Sequence, residues 1–85
     1  MKGQKMDLFW TKIMPECVSK YPWGGEFTAK MSLKKFQEGI KAKIKAMDEN
    51  EFDLFLAAVV MQASRDQMMG VNLTEKVGFL RGLRA

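Results

Sequence analysis

The 85-residue sequence contains no histidine and only one cysteine, Cys17. Because histidine is the commonest general base and metal ligand in proteins, its absence removes the usual basis for both kinds of site. A single thiol cannot form a disulfide within the chain, which argues against a small secreted protein held together by disulfides. Cys17 lies beside Val18 and close to Pro15, and this setting predicts a buried, unreactive thiol.

The spacing patterns of common catalytic and nucleotide-binding sites are also missing. The sequence has no P-loop and no Rossmann glycine pattern. Its acidic cluster lacks the central glycine and the distant glutamate of an EF-hand loop. The cluster lies at the start of a predicted helix, where acids interact favourably with the helix dipole. We therefore predict no catalytic residue, no metal and no cofactor, and a binding protein rather than an enzyme. The acids are Asp48, Glu49, Glu51 and Asp53.

Long apolar runs are absent as well. The longest, Leu54–Met61, has eight residues, whereas a membrane-spanning helix needs about 20. Met1–Met6 is polar and basic and no apolar stretch follows it, so no signal peptide is expected. These features predict a cytoplasmic protein without a membrane span.

The chain does contain enough apolar residues for a core and an excess of positive charge. Hydrophobic residues make up 47% of it and aromatic residues 11%, which predicts one folded domain covering residues 1–85. Its net charge of +4 and pI near 9.4 favour an anionic partner. Because a short chain buries only a modest share of its surface, we also expect a homo-oligomer.

The hydrophobic pattern predicts an all-α fold of about four helices. Asp7 is suited to cap a first helix that ends near Met14. Pro15 then begins a short helical turn, or alternatively the helix bends and continues. A loop at Tyr21–Gly25 follows, since it contains a proline and two glycines.

A second helix is predicted over Ser32–Met47, with Ser32 as its N-cap. At about 100° per residue, Lys34, Lys41 and Lys45 form one stripe, with Glu38 beside them. A second stripe, about 100° away, is apolar and faces the core. Its residues are Leu33, Phe36, Ile40, Ile44 and Met47.

The same region has a competing interpretation. Residues 27–33 and 40–46 both alternate with period two, which is typical of strands. A hairpin near residues 27–47, turning at residues 37–39, would give an α+β fold instead. Gly39 weakens the helix, but most other residues there are good helix formers.

A third helix is predicted from Phe52 to Met69, after a cap at Asp48 and before Gly70. It is apolar on several sides, which indicates a central core helix or a dimer interface.

A fourth helix begins with a capping-box-like Asn72–Glu75. Leu73, Val77 and Leu80 form its stripe, and its glycines would let it pack closely against a neighbour. The glycines are Gly78 and Gly82.

The lysines between residues 30 and 45 are the strongest functional signal. Six lysines and one glutamate occupy this stretch, and an anionic partner would relieve their mutual repulsion. Because the RNP and KH motifs and a helix-turn-helix are absent, the pattern favours sequence-nonspecific RNA binding over duplex DNA. An ordinary solvated face is the alternative. The predicted RNA-binding residues are Lys30, Lys34, Lys35, Lys41, Lys43, Lys45, Arg81 and Arg84.

Three aromatic residues precede the lysines: Tyr21, Trp23 and Phe27. Aromatic rings beside a basic groove can stack on unpaired bases. The alternative, which we favour for Trp23, is that the ring fills the core from a turn.

In its length, its lysine block from Lys30 to Lys45 and its lack of catalytic residues, the chain resembles small accessory proteins that T-even phages make against their hosts. Within that group it is most similar to the TifA-type inhibitors of the toxIN toxin–antitoxin defence system. This resemblance implies a counter-defence protein in the host cytoplasm that binds RNA and a toxin endoribonuclease together. Phage antiholins are the other similar group, and they imply a regulator that binds one protein target without nucleic acid.

Overall fold

The computed structural model of the chain describes residues 8–27, 30–66 and 71–84, and every regular element in these ranges is a helix. The prediction of an all-α fold with about four helices is confirmed. The hairpin alternative is wrong, because residues 33–46 form one continuous helix. In chain order the elements are a π-helical turn (Phe9–Ile13) that continues into α1 (Met14–Val18), a 3-10 turn (Pro22–Glu26), α2 (Leu33–Ala46), α3 (Glu49–Arg65) and α4 (Val71–Arg84).

The first helix consists of the π-helical turn and α1. The sequence predicts that it ends near Met14, but it continues through Pro15 to Val18. The backbone N–H of Met14 donates to the carbonyl oxygen of Phe9, five residues back. This wider turn lies just before the proline, whose ring would clash with the preceding turn of a regular α-helix. The predicted cap, Asp7, lies outside the described residues.

α2 begins where the sequence predicts. The hydroxyl of Ser32 accepts a hydrogen bond from the backbone N–H of Lys35 at 3.2 Å. The predicted core stripe is confirmed except at Leu33, which lies in the first turn and stays 44% exposed. Gly39 has a packing role, since a Cβ there would lie 2.5 Å from Cε1 of the Phe27 ring. The buried residues of the stripe are Phe36, Ile40, Ile44 and Met47.

The predicted cap of α3 at Asp48 is confirmed, and the helix begins at Glu49, three residues before the predicted Phe52. The carboxylate of Asp48 accepts from the N–H of Glu51 at 2.8 Å, and the N–H of Asp48 donates to the carboxylate of Glu51 at 3.3 Å. This capping box satisfies backbone groups that have no partner inside the helix. The helix ends at Arg65, and the predicted terminator, Gly70, lies outside the described residues.

α4 contains the predicted stripe, with Leu73 and Leu80 buried. Asn72 lies inside the helix, so the prediction that it caps α4 is wrong. The two glycines, Gly78 and Gly82, do not bring α4 close to another described element either, because a Cβ at either position would meet no atom of the described residues within 4 Å.

A polar cluster around Gln62 joins the first helix to the end of α3. Gln62 is buried, and its Nε2 donates to the carboxylate of Glu16 at 2.8 Å and to that of Asp66 at 3.4 Å. Its Oε1 accepts from the ammonium of Lys20 at 3.3 Å. Asp66 also pairs with Lys12 at 3.2 Å, and this pair holds the pKa of Asp66 below its ordinary value. The first helix is thus fixed to α3 by polar as well as apolar contacts.

Cys17 is fully buried, as the sequence predicts. Burial raises the pKa of its thiol to about 11, so the thiol is neutral near neutral pH. Because this pKa lies above that of the unfolded chain, the group contributes stability below about pH 9, and the contribution disappears as the pH rises through about 11.

We expect Cys17 to react with a thiol reagent at pH 8 at least a hundredfold more slowly in the native protein than in denaturant, because only the exposed thiolate is nucleophilic. The check is to follow the absorbance of the released chromophore with and without denaturant. Rapid modification of the native protein would contradict the buried placement.

Within residues 8–27, 30–66 and 71–84, no helix combines the length and the apolar character that a membrane span requires.

Candidate nucleic-acid interface

The six lysines of residues 30–45 do not share one face. At about 100° per residue, three of them lie within about 40° of one another along α2, and we call Lys34, Lys41 and Lys45 the lysine stripe. Lys35 lies about 100° beyond Lys34, and Lys43 lies about 160° beyond Lys45 on the other side of the helix. With a rise of about 1.5 Å per residue, the stripe spans about 16 Å.

The lysines of the stripe make no ion pair with any residue that the structure describes. Among the described residues, Lys12 pairs with Asp66 and Lys43 pairs with Glu26, but no ion pair involves a stripe lysine. Lys34 and Lys45 are exposed, and Lys41 is half-buried. One exposed acid, Glu38, lies on the same side of the helix, between Lys34 and Lys41 along its axis. The three lysines and this glutamate together carry a net positive charge.

Phe79 of α4 lies beside the middle of the lysine stripe. The ammonium of Lys41 is 5.7 Å from the centre of its ring, within the range of a cation–π interaction. The buried ring of Trp10 packs nearly perpendicular to the Phe79 ring, with the two centroids 6.3 Å apart. Phe79 nevertheless remains 43% exposed. α2 and α4 therefore place a partly exposed aromatic ring next to the lysine stripe.

The sequence predictions did not include Phe79. Helical periodicity did indicate that Phe79 is exposed. It lies about 100° away from the buried stripe residue Leu80 and so outside the core face of α4. Its neighbour in space, Lys41, is 38 positions earlier in the chain, so the pairing depends on how α4 packs against α2.

Lys43, by contrast, is held by the 3-10 turn. Its ammonium lies 3.3 Å from the carboxylate of Glu26 and 5.3 Å from the centre of the Trp23 ring. These contacts neutralise part of its charge and turn it away from the lysine stripe. The two remaining lysines of the predicted set, Lys30 and Lys35, are exposed but lie outside the stripe.

The two predicted arginines of α4 have different settings. Arg84 donates from Nη2 to the carbonyl oxygen of Met47 at 2.7 Å, and its guanidinium lies 4.9 Å from the centre of the Phe52 ring. It therefore fixes the end of α4 to the α2–α3 junction. Arg81 is exposed, but it lies about 160° around α4 from Phe79. The structure does not bring either arginine to the lysine stripe.

The aromatic residues before α2 pack on the core. Tyr21 and Trp23 stack on each other, with centroids 5.0 Å apart and planes 20° apart. Both rings also contact Phe55, at 5.5 and 6.4 Å. Phe27 packs edge-on against Phe36 at 5.6 Å. The interpretation that Trp23 fills the core from a turn describes these contacts.

A cavity of about 530 Å³ lies between the first helix, the 3-10 turn and the start of α2. Its lining includes Trp10, Pro15 and Phe27 but none of the predicted RNA-binding residues. The cavity is therefore separate from the lysine stripe.

The arrangement offers three cationic groups along about 16 Å of one helix and one exposed ring beside the middle of the three. Such a surface can neutralise a run of negative charges and receive a flat apolar group. The chain matches no protein-family model, no curated protein and no solved structure.

Proposed function

We propose that the protein binds single-stranded RNA, without sequence preference, across the lysine stripe and Phe79. The observation that carries this proposal is the alignment of three lysines that make no ion pair among the described residues, beside an exposed aromatic ring. Each ammonium that neutralises a phosphate releases counterions from the RNA, which is the main source of nonspecific affinity. The same contacts relieve the repulsion between the lysines.

Phe79 accounts for the preference for a single strand. The ring is 43% exposed, and a base can stack on such a ring only if that base is unpaired. Base–aromatic stacking contributes about 1–3 kcal/mol per base. Every base has an aromatic face, so this contact does not depend on sequence. Support from Trp10 and Lys41 holds the ring in place before RNA arrives, which lowers the entropic cost of binding.

The resemblance to phage inhibitors of the toxIN system extends this proposal. On that basis the protein is an inhibitor in the host cytoplasm that binds RNA and a toxin endoribonuclease together and thereby neutralises the toxin. Its support is the length of the chain, the lysine block and the lack of residues suited to catalysis.

The test is the affinity for a long unstructured RNA as a function of salt, measured with purified, nuclease-treated protein. Three or four phosphate contacts predict a slope of log K against log salt of about −2 to −3 for a single strand. A matched duplex RNA should bind more weakly at each salt concentration. No binding at low salt, or a clear preference for the duplex, would refute the proposal.

A neighbouring pair of variants provides the site control. Lys34→Glu and Lys35→Glu change the net charge equally, and both residues are exposed in the first turn of α2. Only Lys34 belongs to the lysine stripe. We expect Lys34→Glu to weaken binding about tenfold and to make the slope shallower by about 0.7. Lys35→Glu should have a clearly smaller effect, and equal losses would mean that binding follows net charge alone.

A further inference from the structure

α3 has a second apolar side that the described residues leave uncovered. Leu54 is 69% exposed and Met61 59%. Ala57 is exposed and Ala58 half-buried. Leu54, Ala58 and Met61 are four and three residues apart, so they lie on one side of the helix. That side is opposite the buried residues around Phe52 and Val59, and we call it the outer side of α3.

Charge is distributed unevenly along the outer side. Exposed acids occupy the first turns of α3, among them Glu51 and Asp53, whereas the last turn carries the exposed Arg65. Glu51 and Arg65 both lie within about 60° of Leu54 around the helix axis. Asp66, the acid that follows Arg65, is already paired with Lys12. The outer side therefore has a negative end and a positive end, with apolar residues between them.

Such a side is complementary to itself in the antiparallel orientation. If a twofold axis passes close to Ala58, Glu51 of one copy lies opposite Arg65 of the second copy, and Leu54 lies near Met61. The small side chains at the centre allow the two helices to approach closely. Antiparallel helices also align their dipoles favourably. A parallel pair would instead place like charges opposite each other at both ends.

We propose that the protein forms a homodimer in which the outer side of α3 packs against the same side of a second copy in antiparallel orientation. A twofold interface uses the same patch on both partners, and this patch meets that requirement. Because one helix side is smaller than the roughly 800 Å² per partner of a standard interface, we expect dissociation in the micromolar range. The proposal is independent of RNA binding.

The first test is sedimentation velocity of the nuclease-treated protein over a wide range of concentrations. Wild type should change from monomer to dimer as the concentration rises, and Leu54→Glu should remain monomeric throughout. Leu33→Glu is the matched control, since it introduces the same charge at an exposed leucine of α2 and should still dimerise. A wild type that stays monomeric at the highest concentration would overturn the proposal, even if the outer side then captured another protein. Equal disruption by Leu33→Glu would overturn it as well.

The second test addresses the orientation. Glu51→Arg and Arg65→Glu should each weaken the homodimer at least tenfold, because each places like charges opposite one another. An equimolar mixture of the two variants should dimerise about as well as wild type, and so should the double variant. Circular dichroism checks that Glu51→Arg, which also removes half of the capping box, remains folded. Failure of both the mixture and the double variant to recover dimerisation would rule out the antiparallel pairing.

Discussion

Replacing both Lys34 and Lys41 by glutamate is expected to abolish RNA binding, with a loss of at least a hundredfold in affinity at moderate salt. The change removes two of the three charges of the lysine stripe and places two negative charges against the phosphates. It also reverses the charge beside Phe79, so the stacking position becomes repulsive towards RNA. Fluorescence anisotropy with a labelled single-stranded RNA measures the effect directly.

The fold should survive this double change. Lys34 is exposed, and Lys41 is half-buried with its ammonium 5.7 Å from the centre of the Phe79 ring. Surface substitutions usually change stability by about 0.5 kcal/mol, so the two together should lower Tm by less than about 8 °C. Lys30→Glu with Lys35→Glu is the control with equal charge, and it should weaken binding only several-fold. Binding by the folded Lys34/Lys41 variant at wild-type strength would disprove the assignment of the site.

Gly24→Ala is expected to destabilise the protein by about 3 kcal/mol, which corresponds to a decrease in Tm of roughly 12–24 °C. Gly24 is buried in the 3-10 turn. A Cβ there would overlap the carbonyl oxygen of Val18 and lie 3.1 Å from its carbonyl carbon. Since that oxygen also accepts the hydrogen bond of the Tyr21 N–H at 3.0 Å, relieving the overlap would break the turn. Thermal unfolding followed by circular dichroism measures the difference.

The adjacent glycine provides the comparison. A Cβ at Gly25 would meet no atom within 4 Å in the part of the chain that the structure describes, so Gly25→Ala has no overlap to relieve there. It should leave Tm unchanged or raise it slightly, because alanine restricts the unfolded chain more than glycine does. If Gly25→Ala destabilised the protein as much as Gly24→Ala, the cause would be the turn sequence and not the close approach to Val18.

Local signals in the sequence were sufficient to predict where α2 and α3 are capped. Ser32 and Asp48 accept hydrogen bonds from N–H groups three residues later, so the start of each helix depends on a short stretch of sequence. The buried stripe of α2 follows from periodicity in the same way. The first helix was less predictable, because the cost of Pro15 inside a helix is avoided by the wider turn from Phe9 to Ile13, which hydrophobic periodicity does not reveal.

In the candidate site, too, features within one helix could be predicted from the sequence, whereas contacts between helices could not. Periodicity grouped Lys34, Lys41 and Lys45 correctly on one side of a helix. It could not reveal that Arg84 holds the carbonyl of Met47, 37 residues away. Nor could it show that Phe79 lies beside Lys41. The role of a charged or aromatic side chain depends on its neighbours in space, and these are set by the packing of helices that are distant in sequence.

The polar cluster around Gln62 also affects the order in which the chain can fold during its synthesis. The hydrogen bond from Gln62 to Glu16 joins residues 46 positions apart, and the first helix buries Phe9, Ile13 and Met14 completely. At translation rates of about 5–20 residues per second, roughly 2 to 9 seconds separate the synthesis of the two partners. During that interval the apolar side of the first helix has no complete α3 to pack against. A nascent chain that stalls before residue 62 therefore presents that apolar side to chaperones and proteases.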